Sequence, residues 1–270
     1  MKQKNGQVLL IVIMLVATVI TVVLSMSFQS TTDTKLAKLE EDSQRALAAA
    51  EAGIEAAIKD KANVSFGTGS LTNISGFTGG ATITSLSSGE FVTPLLQKNE
   101  QYTFYLSTPG GSPPENPDFS SLTPSYTEPM NICFGSEGNQ IAIEVTLIKQ
   151  NNQLNRYVIN PDGETIVSHA LSGDPVHKGD CPKNDPSFSS KYSIDEADMG
   201  NDSLLLMARV ISPNSASYKI GFESDGVNFP IQGKTISSQA TSITGISKKI
   251  QLFQSYPQIP TEFFITNFNF

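Results

Sequence analysis

The sequence predicts an α+β fold in which one long N-terminal α-helix packs on a mainly antiparallel β-sheet head. Three observations lead to this prediction. Residues 31–61 contain no proline and are rich in Ala, Glu, Leu and Lys, which are good helix formers. About six or seven strand-like segments follow residue 62, separated by Gly, Pro and Asn turn signals. Charged residues make up only 16% of the chain, which suits an extracytoplasmic β-rich domain better than a cytosolic α/β enzyme.

The first half of the predicted helix is long and apolar enough to span a membrane. No charged residue lies between Gln7 and Gln29, and about 20 residues cross a hydrocarbon core of about 30 Å. Thr18 and Thr21 are compatible with lipid because a hydroxyl can bond to a carbonyl one turn earlier. Two lysines precede the run and the first charge after it is Asp33, so the positive-inside rule places the N-terminus in the cytoplasm.

A cleaved secretory signal is the first alternative for this apolar run. The apolar region of such a signal is usually about 7–15 residues long and ends in a small-x-small cleavage site. The run here is longer, and its best candidate site, Ser25-Met26-Ser27, is a poor one. The helix-forming residues that follow the run also argue against cleavage there.

The second half of the helix, residues 31–61, has an amphipathic pattern. Apolar side chains recur in steps of three and four, interrupted at Ser43, and Gly53 is expected to weaken the helix by about 1 kcal/mol relative to Ala. We expect one helix from about residue 7 to about residue 61, on the order of 80 Å long, whose second half docks its apolar stripe on the head. The stripe consists of Leu36, Leu39, Leu47, Ala50, Ile54 and Ile58.

Two N-terminal segments resemble a known family. A short basic leader that ends in glycine, MKQKNG, precedes the apolar run, and SQRALAAAEAGIEAAI follows it at residues 43–58. Together, on one unbroken helix, they resemble type IV pilin-like proteins, and specifically the minor pilins of the PilX type, in which an Arg- and Ala-rich pattern with Ala-Ala-Glu-Ala follows the membrane half. The resemblance covers the first 60 residues, under a quarter of the chain.

The resemblance implies how the chain is processed and divided. A membrane-embedded prepilin peptidase would cut between Gly6 and Gln7 on the cytoplasmic side. The same helix would then hold the subunit in the inner membrane and later pack among other pilin subunits in a surface filament. The implied domains are a leader at 1–6, a membrane and filament-core helix at 7–28, its amphipathic continuation at 29–61 and an extracytoplasmic, pilin-like head at 62–270. The expected helix-packing residues are Leu36, Leu39, Leu47, Ile54 and Ile58.

Two residues depart from the pattern of major pilins. Gln7 stands where these usually begin with an aromatic residue, and Ile11 stands where they carry a glutamate thought to neutralise a neighbouring subunit's N-terminal amine. Ile11 cannot make that contact, which a subunit at the filament tip can dispense with. The resemblance therefore implies a minor subunit at the tip or priming assembly. The alternative is an uncleaved single-pass surface protein whose head binds or adheres to a ligand that the sequence does not identify.

The head is expected to contain short strands and long polar connections. Residues 63–89 are rich in Gly, Ser and Thr and are interpreted as a linker or as short, weak strands. Residues 110–129 contain five prolines and are expected to form a surface loop. A turn at 151–152 and a second one at 161–163 predict a three-stranded meander. Strands are expected at 101–108, 140–150, 154–160, 164–170, 202–212, 217–224 and 247–256.

The two cysteines, Cys133 and Cys181, are expected to form a disulfide if the head lies outside the membrane. Extracytoplasmic compartments are oxidising, so two thiols there should pair. The bridge would close a loop of about 50 residues, and the chain-entropy estimate of its stabilisation is roughly 4 kcal/mol. Two unpaired thiols are the alternative.

Charge and motif content argue against enzymes and nucleic-acid binding proteins. The formal net charge is −8 and the basic residues are dispersed, whereas nucleic-acid binding needs a clustered basic face. Ser168-His169 beside Asp174 is not interpreted as a hydrolase triad because no G-x-S-x-G elbow is present. The sequence therefore predicts no catalytic residue, no cofactor and no specific nucleic-acid site.

Several acidic residues and both histidines lie in a Gly- and Pro-rich region, where a metal site is conceivable. Their spacing matches neither H-E-x-x-H, C-x-x-C nor an EF-hand loop. They are interpreted as solvated loop residues, with weak calcium binding as the alternative, so no metal ligand is predicted. The residues are His169, Asp174, His177, Asp180 and Asp185.

Two further features have alternative interpretations. Four C-terminal phenylalanines, which would form a sticky patch if exposed, are expected to pack on the sheet or helix, with a subunit or partner contact as the alternative. Glu51 in the helix could contact the head, a neighbouring subunit or solvent. The phenylalanines are Phe263, Phe264, Phe268 and Phe270.

Overall fold

The structure, a computed structural model, has the predicted α+β layout. The described residues are 5–85, 87–136, 138–176, 181, 187–224 and 226–260. For residues 5–9 the structure describes the backbone alone. One long helix packs on a mainly antiparallel β-sheet domain, which confirms the fold class predicted from the sequence.

The helices are α1 (Asn5–Asp60) and α2 (Glu196–Met199), and a 3₁₀ turn covers Gly69–Leu71. The α1 helix ends where Lys61 adopts a φ of 53°, the left-handed conformation that commonly terminates helices. In chain order the strands are β1 (Val64–Ser65), β2 (Phe77–Thr84), β3 (Glu90–Val92), β4 (Gln101–Tyr105), β5 (Ser107–Ser112), β6 (Asn116–Pro124), β7 (Met130–Phe134), β8 (Ala142–Lys149), β9 (Leu154–Asn160), β10 (Leu171–Ser172), β11 (Asp174–Pro175), β12 (Ser190–Ile194), β13 (Ser203–Ile211), β14 (Gly221–Ser224), β15 (Gly233–Ser242) and β16 (Ser247–Ser255).

The strands form three sheets and a two-stranded ribbon. One sheet has the order β1-β2-β15-β16, the second β10-β9-β8-β13-β4 and the third β11-β12-β7-β14-β3, while β5 and β6 form the ribbon. The pairing is mainly antiparallel, and β10 runs parallel to β9. The chain divides into two compact units, one of residues 1–82 and 237–251, the other of residues 83–236 and 252–270. These units differ from the domains predicted from the sequence. The division into a leader, a membrane span, its continuation and a head that begins at residue 62 stays a prediction.

The second unit has a large aromatic and aliphatic core. Phe104 on β4 is fully buried, stacks on Phe222 with ring centroids 4.3 Å apart and meets Phe229 edge-on at 4.9 Å. The central strands β8 and β13 contribute buried aliphatic side chains to the same cluster. Strands buried on both faces have near-continuous apolar sequences, which is why these two were recognisable in the sequence.

The proline-rich segment is an ordered ribbon, which corrects the loop expected at residues 110–129. Strands β5 and β6 pair antiparallel from Ser107 with Pro124 to Ser112 with Asn116. Proline lacks an N–H donor and is tolerated at strand edges. A two-stranded ribbon consists of two edges, so it accommodates the prolines.

The strand expected at residues 164–170 is absent from the described structure, which also removes the three-stranded meander. The Asn160 side chain accepts the backbone N–H groups of Ile166 at 3.1 Å and Val167 at 2.9 Å and donates to the Val167 carbonyl at 2.8 Å. These local bonds replace the partners that a strand ladder would supply. Strand β14 likewise covers only the second half of the strand expected at 217–224.

Two buried tyrosines of the second unit make the stability of the folded chain depend on pH in the alkaline range. Burial raises the pKa of Tyr105 and of Tyr256 to about 12, and at Tyr105 the neighbouring Tyr256 adds to the effect. In the unfolded chain the pKa of a tyrosine is about 10. The stability contributed by these neutral phenols is therefore complete below about pH 10 and is lost as the pH rises through about 12.

At about pH 11 the folded chain should contain less tyrosinate than the same chain unfolded in urea. Ultraviolet absorbance of tyrosinate measures this difference directly, and the urea-unfolded chain at the same pH is the control. Identical titration curves for all seven tyrosines in the two states would contradict the assignment.

Candidate membrane anchor and helix-packing surface

The apolar first half of α1 is exposed from Leu10 onward. The helix qualifies as a membrane span by length and composition, and none of its most apolar 18-residue window is buried in the chain. From Leu10 to Leu24 the large apolar side chains are between 49% and 66% exposed. So large a continuous apolar surface needs lipid or other helices around it. The arrangement is that of a membrane anchor with a β-rich head and is compatible with a single-pass surface protein.

The hydroxyls within the apolar run are bonded inside the helix, as expected from the sequence. Thr18 Oγ1 donates to the Leu15 carbonyl at 2.8 Å, and Thr21 Oγ1 donates to the Ala17 carbonyl at 2.7 Å. Both donors are therefore satisfied without water, which is the requirement for a polar side chain in lipid.

The second half of α1 docks through small side chains. The buried side chains recur in steps of three and four, and three alanines among them share one apolar cluster of the first unit with Phe66, Leu71 and Ala240. Alanine and glycine bring the helix axis close to the sheet because they add little or no side chain between the two backbones. The face consists of Ala46, Ala49, Ala50, Gly53, Ile54, Ala56 and Ala57.

This face corrects part of the docking stripe expected from the sequence, of which Ala50 is fully buried as expected. Of the five predicted packing residues, Ile54 is 8% exposed and joins the buried face. The other four are exposed, and their packing against other helices stays a prediction. Their exposures are 58% for Leu36, 50% for Leu39, 41% for Leu47 and 37% for Ile58. The physical reason is that the face with the smallest side chains lets the helix lie closest to the sheet, and this closeness decides which face docks more than the hydrophobicity of the side chains does.

Gly53 is a point of close approach between α1 and β15. A Cβ atom at Gly53 would overlap the Ser238 hydroxyl and would lie 3.4 Å from both Ser238 Cβ and Phe66 Cζ. Ser238 on β15 is fully buried, and its hydroxyl has no hydrogen-bond partner among the described residues. The glycine that the sequence marked as a weak position in the helix is therefore required by packing.

A hydrogen bond also ties the β15–β16 turn to the helix. The Thr244 hydroxyl donates to the Asp42 carboxylate at 3.0 Å. On the exposed face, Arg45 and Glu41 form an ion pair at 2.6 Å with both side chains more than half exposed. Such exposed pairs contribute little, so docking depends on the apolar face. Glu51 is exposed on the same helix.

The predicted processing site lies within α1. The structure describes only the backbone of Gly6 and Gln7, which is helical. Cleavage between them stays a prediction. Ile11, whose identity bears on the position of a subunit in a filament, is 62% exposed.

The predicted disulfide between Cys133 and Cys181 is present. The two Cα atoms are 5.9 Å apart, within the usual range for a bridge. Cys133 lies on β7, and both sulfurs are buried in a small cluster with Phe188, against which Val92 and Val176 pack. The bridge thus fixes a distant part of the chain to the third sheet.

The other candidate residues from the sequence do not converge. Within the described ranges no group of three or more His, Cys, Asp and Glu residues could hold a metal ion. His169 and Asp174 are both exposed. His177, Asp180, Asp185 and the four C-terminal phenylalanines lie outside the described residues.

Comparison with known proteins gives no family for this chain. No protein-family model, curated protein or solved structure matches it. The features that bear on function are therefore those of the chain itself, namely an exposed apolar half-helix, a second half docked through small residues and a bridged β-rich head.

Proposed function

We propose that the chain is a minor pilin-like structural subunit of a type IV pilus or related filament. Prepilin peptidase would remove residues 1–6, and the subunit would wait in the inner membrane before assembly. The observation that supports this most is α1 itself, a single 56-residue helix with two different exposures along its length. Among the described residues the apolar side chains of its first half are exposed, and its second half is attached to the sheet by one face.

The outward face of the second half supports helix packing between subunits. Leu36 and Leu39 are half exposed or more, and Leu47 continues the same stripe. In the proposed filament this stripe and the apolar run would contact neighbouring α1 helices. Because both lipid and a helical core are apolar, transfer from membrane to filament does not require the run to enter water.

Ile11 supports a position at the tip or in priming assembly. An aliphatic side chain cannot neutralise the N-terminal amine of a neighbouring subunit, so this chain would be a poor repeating subunit of the shaft. The disulfide supports a head on the extracytoplasmic side, where thiols oxidise.

An uncleaved, single-pass surface binding or adhesion protein is the second candidate. It is favoured by Gln7 and Ile11, which both depart from the major-pilin pattern. The two candidates share the span and the head and differ in whether residues 1–6 are removed and whether the chain leaves the membrane.

Blocking the proposed cut separates the two candidates. The variant Gly6→Leu should keep its leader, remain in the membrane fraction and disappear from filaments sheared off the cell surface, because it replaces the glycine after which the peptidase is proposed to cut. The matched control is Gln3→Leu, which changes the leader away from the cut and should behave as the unchanged chain. Immunoblots of the sheared and membrane fractions provide the measurement.

Equal amounts of Gly6→Leu and unchanged chain in the sheared fraction would contradict processing at this site. Complete absence of the unchanged chain from that fraction, with its leader intact in the membrane, would favour the uncleaved surface protein.

A further inference from the structure

Strand β16 is a long edge of its sheet, whereas most other sheet edges of the described structure are short. The three sheets end in β1 and β16, in β10 and β4, and in β11 and β3. Four of these six strands, namely β1, β3, β10 and β11, have only two or three residues. Proteins commonly keep edge strands short because unpaired backbone groups there can pair with another chain. Strand β16 has nine residues and lacks this protection.

The edge of β4 is closed by two glutamine side chains. The Gln232 amide accepts the Tyr105 N–H at 2.8 Å and donates to the Tyr105 carbonyl at 2.8 Å. The Gln258 amide accepts the Thr103 N–H at 2.6 Å and donates to the Thr103 carbonyl at 3.4 Å. An amide that both donates and accepts takes the place of a peptide group in a neighbouring strand. These amides therefore occupy the positions that a partner strand would need.

The backbone groups of β16 that point away from β15 belong to its odd-numbered residues. The Ser242 N–H donates to the Ile246 carbonyl at 2.8 Å, and the Tyr256 N–H donates to the Gln232 carbonyl at 2.9 Å. The two bonds have the same register, so even-numbered residues bond towards β15 at both ends of β16. Since bonding alternates along an antiparallel strand, the odd-numbered residues point outward. Those for which the described structure shows no partner to the outward backbone groups include Lys249, Gln251 and Phe253.

The side chains at this edge favour a further strand beside it. Leu252 is 41% exposed and Phe253 is 45% exposed, and consecutive residues of a strand point to opposite faces. Ile250 is half-buried and packs against an apolar cluster of the first unit that includes alanines of α1. Apolar and aromatic residues gain from a cross-strand neighbour, and an exposed apolar edge strand is a site of association.

The sequence of β16, SKKIQLFQS, is complementary to itself in one antiparallel register. When two copies pair about Gln251, Ile250 lies opposite Leu252, and Lys249 lies opposite Phe253. The first pair joins apolar side chains, and the second permits a cation–π contact. Gln251 lies opposite itself with its outward N–H and carbonyl, so the two chains exchange both hydrogen bonds there. In a parallel, in-register pair each lysine would instead face a lysine, which is unfavourable.

We propose that β16 pairs with the β16 strand of a second copy of this chain, antiparallel and about a twofold axis at Gln251. The contact is isologous, because the same edge is used by both copies. It is an addition of one strand to the edge of another sheet, in which main-chain hydrogen bonds give affinity and the facing side chains give the register.

The twofold axis also sets the direction of α1 in the second copy. Within the first unit, Asp42 bonds Thr244 in the turn before β16, and Gly53 lies against Ser238, farther back along β15. The helix therefore runs in the same direction as β16, and the axis reverses both. The inference rests on the proposed function only for its setting, since such a pair would join heads from two separate membranes or filaments.

Cysteine cross-linking of the full chain in detergent micelles tests the register. The native cysteines are bonded to each other and do not compete. In Gln251→Cys the new thiols of two copies lie opposite each other, with Cα atoms about 5.5 Å apart, within the range of a disulfide. In the matched control Lys249→Cys they lie about 14 Å apart along the strands. An equal mixture of Lys249→Cys and Phe253→Cys restores an opposed pair.

We expect a disulfide-linked dimer on a non-reducing gel from Gln251→Cys and from the mixture. Lys249→Cys alone should give at least about tenfold less dimer, because thiols that far apart cannot be bridged. A parallel, in-register pair would cross-link both single variants, and association through α1 alone would not distinguish them.

Proline at the edge tests the pairing without a cross-link. Gln251→Pro removes an outward N–H and is compatible with an edge strand, so the chain should stay folded and associate about tenfold more weakly. The matched control Gln251→Thr keeps the N–H and suits a strand, so it should associate as the unchanged chain does. Light scattering over a range of protein concentrations measures association, and circular dichroism compares the folds. Association through α1 is common to both variants and cancels in the comparison.

Absence of a dimer in Gln251→Cys, or equal amounts of dimer in Gln251→Cys and Lys249→Cys, would overturn the proposal. Equal association of folded Gln251→Pro and Gln251→Thr would overturn it as well. Cross-linking by a chain that keeps residues 1–6 in native membranes would contradict the pilin function and leave the strand pairing standing. Processing and filament assembly without cross-linking would do the reverse.

Discussion

Removing the disulfide with the double substitution Cys133→Ala and Cys181→Ala is expected to lower the free energy of unfolding by roughly 4 kcal/mol. The bridge joins residues 48 apart in sequence, so its loss releases a long loop in the unfolded chain. Both sulfurs are buried beside Phe188, so the substitution also removes packed volume. Urea unfolding of the full chain in micelles, followed by circular dichroism, measures the change.

The reduced form of the unchanged chain is the control for this experiment. It should lose most of the same stability, and the double variant should not respond to reductant at all. A double variant with the unfolding midpoint of the oxidised, unchanged chain would show that the bridge contributes nothing to the head.

Gly53→Leu is expected to weaken docking of the second half of α1 by about 1–3 kcal/mol, the usual cost of overpacking a close contact. A Cβ at this position already overlaps the Ser238 hydroxyl and approaches Phe66, and leucine adds three more carbons. Hydrogen exchange of the amides at residues 46–57 measures the docking, since an undocked helix exchanges faster. The matched control is Ala48→Leu, about 1.4 turns away on the exposed face.

A pair of compensating substitutions distinguishes steric overlap with Ser238 from other effects of changing residue 53. Ser238→Ala removes a buried hydroxyl that has no partner among the described residues, so Gly53→Ala combined with it should dock at least as well as the unchanged chain. Alanine also favours the helix by about 1 kcal/mol over glycine. Equal exchange in Gly53→Leu and Ala48→Leu would contradict the close approach at Gly53.

The strands that were predictable are those with an apolar or alternating pattern. Strands β8, β9, β13 and β16 were expected nearly where they occur, because buried side chains leave a continuous or alternating signal. Strand β15, GKTISSQATS, was missed because its composition is that of a linker. It is held in part by hydroxyls of β2, which donate to its carbonyls at 3.3 and 3.4 Å.

Glycine in β2 shows why such a sheet has little sequence signal. A side chain at Gly79 would overlap the Gln239 carbonyl, and one at Gly80 would overlap the Val64 carbonyl. These residues look like linker residues, yet they are needed where neighbouring backbones approach closely. The same physics hid most of the docked face of α1, where alanine and Gly53 pack and the leucines face outward, although Ala50 and Ile54 were expected there.

The candidate sites differ in how much of each could be predicted from the sequence. The cysteine pair followed from the count of cysteines and the expected compartment, so it could be predicted without knowing the fold. An open pocket in the second unit could not be predicted, because the residues that line it, Phe119, Lys234 and Tyr256 among them, come from three distant segments that only the folded chain brings together. No spacing rule connects residues on β6, β15 and the segment after β16.

The mass of the chain isolated from native membranes and filaments tests the central claim most directly. If α1 stays in the mature protein as anchor and packing helix, as proposed, the mature N-terminus is Gln7 and the whole apolar run is retained. An N-terminus near Phe28, which would mean that the run is removed as a secretory signal, would contradict it.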